Sequence, residues 1–193
     1  HKYLVDLKND DFINDIDTSS SIFKEKIGYN PIFFSYPFGE YSLFIREYIS
    51  KNFKFSFGQH SGVIDINKDR HELPRFPINE KYGDLKRFKT LMKTLPFKYI
   101  KITPEDKFLL QSKNPPNVII EFVKNIKNLK QINCFSNEGN KWRNSNASFI
   151  DDNILIIKFK EKFVGERGRI NCSLREEKGY WRWLGIQFVV SEK

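Results

Sequence analysis

The chain has 193 residues, room for one or two domains with a sizeable core, and 39% of them are hydrophobic, with 19 phenylalanines as the main filler. No apolar run approaches the ~20 residues of a membrane span, which excludes a transmembrane helix. The net charge is +9, from 33 Lys and Arg against 24 Asp and Glu, but no nucleic-acid motif accompanies the excess lysine, so no nucleic-acid partner is expected.

Phe12, Ile13, Ile16, Phe23 and Ile27 recur at helical spacing, and Gly28 is a natural stop after Lys24 to Lys26. Pro31 to Tyr36 reads as a buried strand, Tyr41 to Asn52 as an amphipathic helix, and Lys54 to Phe57 as a short strand ending at Gly58. Asp65 to Glu72 is a polar loop, and Arg75 to Ile78 reads as a further strand. Asp84 to Leu95 places Leu85, Phe88, Leu91 and Met92 on one helical face, closed by Pro96. This alternation argues for an α/β unit with parallel strands over residues 1–104. Beyond Asn114-Pro115-Pro116 the pattern becomes short apolar or period-2 stretches: Val118 to Val123, Leu129 to Phe135, Ile154 to Phe159, Gly168 to Leu174 and Trp181 to Val190. They suggest an antiparallel β-sandwich over 114–190. Cys134 and Cys172 sit in similar Ile-Asn-Cys settings, which fits either a bridge between facing strands or two buried thiols.

One stretch carries more than its secondary structure. Phe33-Phe34-Ser35-Tyr36-Pro37-Phe38-Gly39-Glu40 runs from a strand into a Pro-aromatic-Gly turn at the start of a helix. Ser35-Tyr36-Pro37-Phe38-Gly39 resembles the third conserved motif of the polysaccharide deacetylase family (NodB-like, carbohydrate esterase family 4), in which an Arg usually stands where Ser35 does. Phe55-Ser56-Phe57-Gly58-Gln59-His60-Ser61-Gly62 and Leu73-Pro74-Arg75-Phe76-Pro77 resemble the closing part of that barrel in a proteobacterial branch. Arg169-Ile170-Asn171-Cys172 and Trp181 to Phe188 resemble the accessory domain of the same branch. The expected fold is therefore α/β plus all-β, a partial NodB-like barrel followed by an antiparallel β-sandwich.

The resemblance implies a parent protein that is a metal-dependent N-deacetylase acting on an N-acetylated glycan, with an Asp-His-His set holding zinc or a similar divalent ion. His1, followed by Lys2-Tyr3-Leu4, resembles the second histidine of that set, and a purification-tag remnant explains it equally; the Asp and the first His have no counterpart. On the family reading the sequence begins inside an active-site motif. The turn would offer the backbone N–H of Phe38 to an oxyanion, with Tyr36, Pro37 and Gly39 shaping the substrate side. Arg75 would substitute for the motif's Arg or form a structural ion pair, and His60 would be a groove residue or a surface or capping histidine. Trp181 and Trp183, on one face of a strand, suit a sugar-stacking platform or inter-sheet packing. Two activities are expected: an inactive C-terminal portion of such a deacetylase, or a non-catalytic carbohydrate-binding or interaction protein on the same scaffold. A homo-oligomer is expected through an unpaired Pro31–Tyr36 strand edge with Phe33 or Phe34 uncovered.

Overall fold

The computed structural model describes residues 5 and 7–191. His1 lies outside the described residues.

Helix α1 (Asn9–Ile27) ends at Gly28, whose φ of 92° supplies the left-handed cap. Strand β1 (Phe33–Ser35) follows, then a 3₁₀ turn at Pro37–Gly39, and then α2 (Leu43–Asn52), capped by the Ser42 hydroxyl accepting from the Ile45 amide. Strand β2 (Phe55–Phe57) lies parallel to β1, so β1, α2 and β2 make one crossover unit. Phe12 and Ile16 of α1 pack on Ile45 and Ile49 of α2, together with Tyr36, Tyr41 and Phe53, as a separate small core.

The remaining elements build a sandwich of two open sheets. In chain order they are α3 (Leu85–Leu91), β3 (Thr94–Pro96), β4 (Tyr99–Thr103), β5 (Phe108–Leu109), β6 (Val118–Phe122), β7 (Asn133–Ser136), β8 (Arg143–Asn144), β9 (Asn146–Phe149), β10 (Ile154–Lys158), β11 (Arg167–Arg175) and β12 (Trp181–Val190). One sheet has the order β4-β6-β10-β9; the other runs β3-β12-β11-β7-β8, with β5 also on β12. Alternation builds the core between them. Val118, Ile120, Phe122, Leu155 and Ile157 of the first sheet face Cys134, Ile170, Cys172, Leu174, Ile186 and Phe188 of the second. Cys134 and Cys172 stand opposite each other on β7 and β11 and are joined as a disulfide.

Strand β12 departs from alternation: Gly185 to Val190 are all buried, because the N-terminal unit covers the face that would otherwise meet solvent. Gly185 allows this approach, since a Cβ there would lie 2.1 Å from the Ser61 carbonyl oxygen.

The expected partial NodB-like barrel followed by a sandwich is corrected to a β-sandwich-like fold with three helices, and no sheet is closed among the described residues. Three causes are visible. Residues 75–78 make no ladder, since Pro74 beside them and Pro77 among them cannot donate. Residues 94–96 leave the expected helix and pair in parallel with β12. Strand β4 pairs antiparallel with β6 in the other sandwich sheet. The chain after β2 thus feeds the sandwich instead of extending a parallel barrel.

Candidate functional site: a cavity beside the crossover unit

The Pro-aromatic-Gly turn is held from both sides. The Tyr36 amide donates to the Phe57 carbonyl, prolonging the β1–β2 ladder by one residue, and the Tyr36 hydroxyl donates to the His71 carbonyl at 2.9 Å while lying 3.1 Å from Ser56 Oγ. Burial raises the Tyr36 phenol well above its ordinary pKa, so it stays protonated. Phe38 has a left-handed φ of 57° and Gly39 a φ of 71°, and a Cβ on Gly39 would lie 2.5 Å from Gln59. From the sandwich, Gln187 Nε2 donates to the Phe38 and Gly39 carbonyls at 3.2 and 3.3 Å. Arg167 donates to Glu40 at 2.5 Å, with its guanidinium 5.3 Å from the centroid of the Phe38 ring.

Next to this turn lies a cavity of about 470 Å³. Of the residues singled out in the sequence, it takes in His60 and Trp183. Tyr36, Pro37, Phe38 and Gly39 sit outside its lining, and Tyr36 is buried with its hydroxyl turned toward Ser56. The Arg75 side chain is exposed and forms no ion pair among the described residues; only its amide reaches the region, donating to the His60 carbonyl at 3.1 Å.

The centre of the cavity is Glu72, from a loop whose composition suggests solvent. Tyr41 donates its hydroxyl to Glu72 Oε1 at 2.6 Å, Arg46 donates to Oε2 at 3.4 Å, and the Lys107 ammonium lies 3.6 Å from Oε1. Lys107 is itself buried and donates to the Glu105 carbonyl at 2.9 Å and the Pro104 carbonyl at 3.3 Å. Arg46 also pairs with Asp69 and Glu105 at 3.4 and 2.9 Å. Burial pushes the Glu72 carboxyl up, but Lys107, the Tyr41 hydroxyl, His60 and Arg46 outweigh it and hold it below the ordinary carboxylate range. Burial lowers the His60 pKa, against the pull of Glu72, so its imidazole is neutral at pH 7.

Aromatic surface completes the walls. Tyr99 carries the Lys68 ammonium over its ring at 3.8 Å. Trp183 packs edge-on against Phe76, centroids 5.8 Å apart, and its buried indole Nε1 finds no acceptor among the described residues. An ionised, fully paired Glu72 is a weak base at neutral pH. The arrangement is therefore suited to orienting a hydroxyl- or amide-bearing ligand against aromatic faces. Among the described residues no group of three or more His, Cys, Asp and Glu side chains comes together to hold a metal, so they supply no ligand set for the divalent ion that the resemblance implies.

Sequence reading misses Glu72, Arg46 and Lys107. Each is an unremarkable charged residue in its own stretch, and only the fold brings positions 46, 72 and 107 together.

No family model and no curated protein matches the chain. Among solved structures it is similar to PcoC, a methionine-rich copper resistance protein from Escherichia coli, with a TM-score of 0.34 and 12% identity over 50% of this chain and 100% of that one.

Proposed function

We propose that the chain is the glycan-holding, non-catalytic part of a polysaccharide N-deacetylase-like protein, binding an N-acetylated glycan in the cavity around Glu72. The observation that carries this reading is the lining. Tyr41, Tyr99 and Trp183 offer ring surface, while His60, Arg46 and Lys107 offer polar groups already fixed by neighbours. Preorganised donors and aromatic faces are what a hydroxyl-rich, uncharged ligand needs. The family resemblance supplies the glycan class. Calorimetric titration with N,N′-diacetylchitobiose should give saturable binding that Trp183→Ala removes; absence of binding at millimolar sugar overturns the reading. Acetate release in the presence of zinc or cobalt should stay at background, since of the Asp-His-His set only the second histidine has a counterpart in the sequence, His1.

Self-association belongs to the same reading. The apolar stripe of α1 is buried at Phe12 and Ile16 but continues uncovered through Phe23 and Ile27, and Ile32 and Phe33 are exposed at β1. Burying such a patch between two copies approaches the ~800 Å² per partner of an ordinary interface. Sedimentation at tens of micromolar should show a dimer; a monomer there contradicts this part. No helix among the described residues is long and apolar enough to cross a membrane.

A further inference from the structure

Helix α3 turns its apolar stripe away from the protein. Asp84 caps it, accepting from the Arg87 amide at 2.9 Å, and the half-buried side of the helix is Arg87 and Leu91. Arg87 reaches back to the Pro77 and Tyr82 carbonyls at 3.2 and 3.1 Å, which ties the preceding loop to the helix. Leu85, Phe88 and Met92, spaced i, i+3 and i+7, share another side. Leu85 is 67% and Met92 71% exposed, and Phe88, Ile78 and Tyr82 are exposed with them. Single exposed apolar residues are ordinary, but an amphipathic helix normally spends such a stripe on the core.

Lysines run along the flank of the stripe. Lys86 and Lys89 lie one turn apart beside it, and Lys93 follows just past the helix. Among the described residues none of these three side chains pairs with a carboxylate or donates a hydrogen bond to the protein. From Leu85 to Lys98 the charged residues are Lys86, Arg87, Lys89, Lys93 and Lys98, with no Asp or Glu among them.

We propose that α3 and the loop before it dock this protein on the surface of an anionic lipid bilayer. Leu85, Phe88 and Met92 enter the boundary between headgroups and acyl chains, while Lys86, Lys89 and Lys93 lie against lipid phosphates. Charge and shape choose this occupant together. A polyanion would satisfy the lysines and leave the apolar stripe in water, whereas an anionic bilayer is negative at its surface and apolar just beneath it. The segment is exposed on every side but that of Arg87 and Leu91, so it projects as a peg. A peg offers little of the ~800 Å² that an ordinary protein partner covers, but it can sink into a fluid interface. The docking element holds whether or not the cavity takes a glycan.

Flotation with vesicles tests this. The wild type should float with phosphatidylcholine vesicles that contain phosphatidylglycerol, and not with phosphatidylcholine alone. Lys86→Gln and Lys89→Gln should each weaken partition about fivefold. Lys24→Gln and Lys51→Gln, the same charge change on α1 and α2, should alter it by less than about twofold. Leu85→Ser and Met92→Ser should each weaken it about tenfold, and Met92→Leu should restore it. These side chains are exposed, so urea midpoints should stay at the wild-type value in every variant. No flotation of the wild type, or equal flotation with both kinds of vesicle, overturns the proposal. So does flotation that Leu85→Ser and Met92→Ser leave intact, since that is the general adsorption of a protein of charge +9. Self-association that Met92→Ser abolishes, without vesicle binding, would assign the stripe to a second copy of the chain and overturn it as well.

Discussion

At the scale of single residues, Glu72 organises the most. Its carboxylate joins three stretches of chain through Tyr41, Arg46 and Lys107. Glu72→Gln keeps the shape but leaves two cations short of their counter-charge, and should cost about 2 kcal/mol of stability by urea unfolding. The linked pH effect has a definite sign. Glu72 is depressed below its ordinary 4.5, so its stabilisation is complete above that value and is lost as pH falls through its folded value. His60 is depressed below its ordinary 6.5, so the unfolded chain takes up that proton first, and stability begins to fall below 6.5. Urea midpoints should therefore decline in two stages, the first setting in below about pH 6.5 and the second below about pH 4.5. His60→Asn should remove the upper stage and leave the lower; an unchanged upper stage would exclude His60 as its source. Gly39 is constrained differently, by its φ of 71° and by Gln59, which lies 2.5 Å from where a Cβ would stand. Gly39→Ala should therefore cost about 1–3 kcal/mol or more in the same assay.

At the scale of elements, local chemistry is readable where it acts alone. Period and cap residues indicate α1 and its stop at Gly28, and short apolar or period-2 stretches indicate β6, β10, β11 and β12. It is not readable where partners decide. The apolar face of Leu85, Phe88 and Met92 suggests a helix to Leu95, yet α3 stops at Leu91 with that face exposed. Thr94 Oγ1 donates to the Thr90 carbonyl, and the chain then extends because β12 offers a parallel edge. Leu129 to Gln131 looks like strand but forms a 3₁₀ turn, and only from Asn133 does pairing with β11 begin. The two cysteines share a local setting, but their bridging depends on register across β7 and β11, a long-range property. With 38 residues of separation, the bridge should contribute about 2–4 kcal/mol, mainly by restricting the unfolded chain. Urea unfolding equilibrated with a thiol reductant, which reaches the bridge in the unfolded chain, should show a midpoint lowered accordingly, and an unchanged midpoint with both thiols shown to be free would contradict this.

At the scale of the whole molecule, the candidate site is a product of assembly. The cavity draws Arg46 from α2, His60 and Glu72 from the segment after β2, Tyr99 from β4 and Trp183 from β12. Sequence motifs point to the turn at Tyr36 to Gly39, and that turn lies beside the site but outside its lining, tied to the sandwich by Gln187 and Arg167. The polar centre lies in residues that no motif marks. The central claim is that this assembled cavity holds an N-acetylated glycan against Trp183. The chain has three tryptophans, and the indole N–H resonance of Trp183 can be assigned by its loss in Trp183→Phe. Titrating N,N′-diacetylchitobiose into labelled protein should shift that resonance saturably, with the Trp142 signal unmoved. A Trp183 signal that stays in place at millimolar sugar, in a protein that remains folded, would contradict the account.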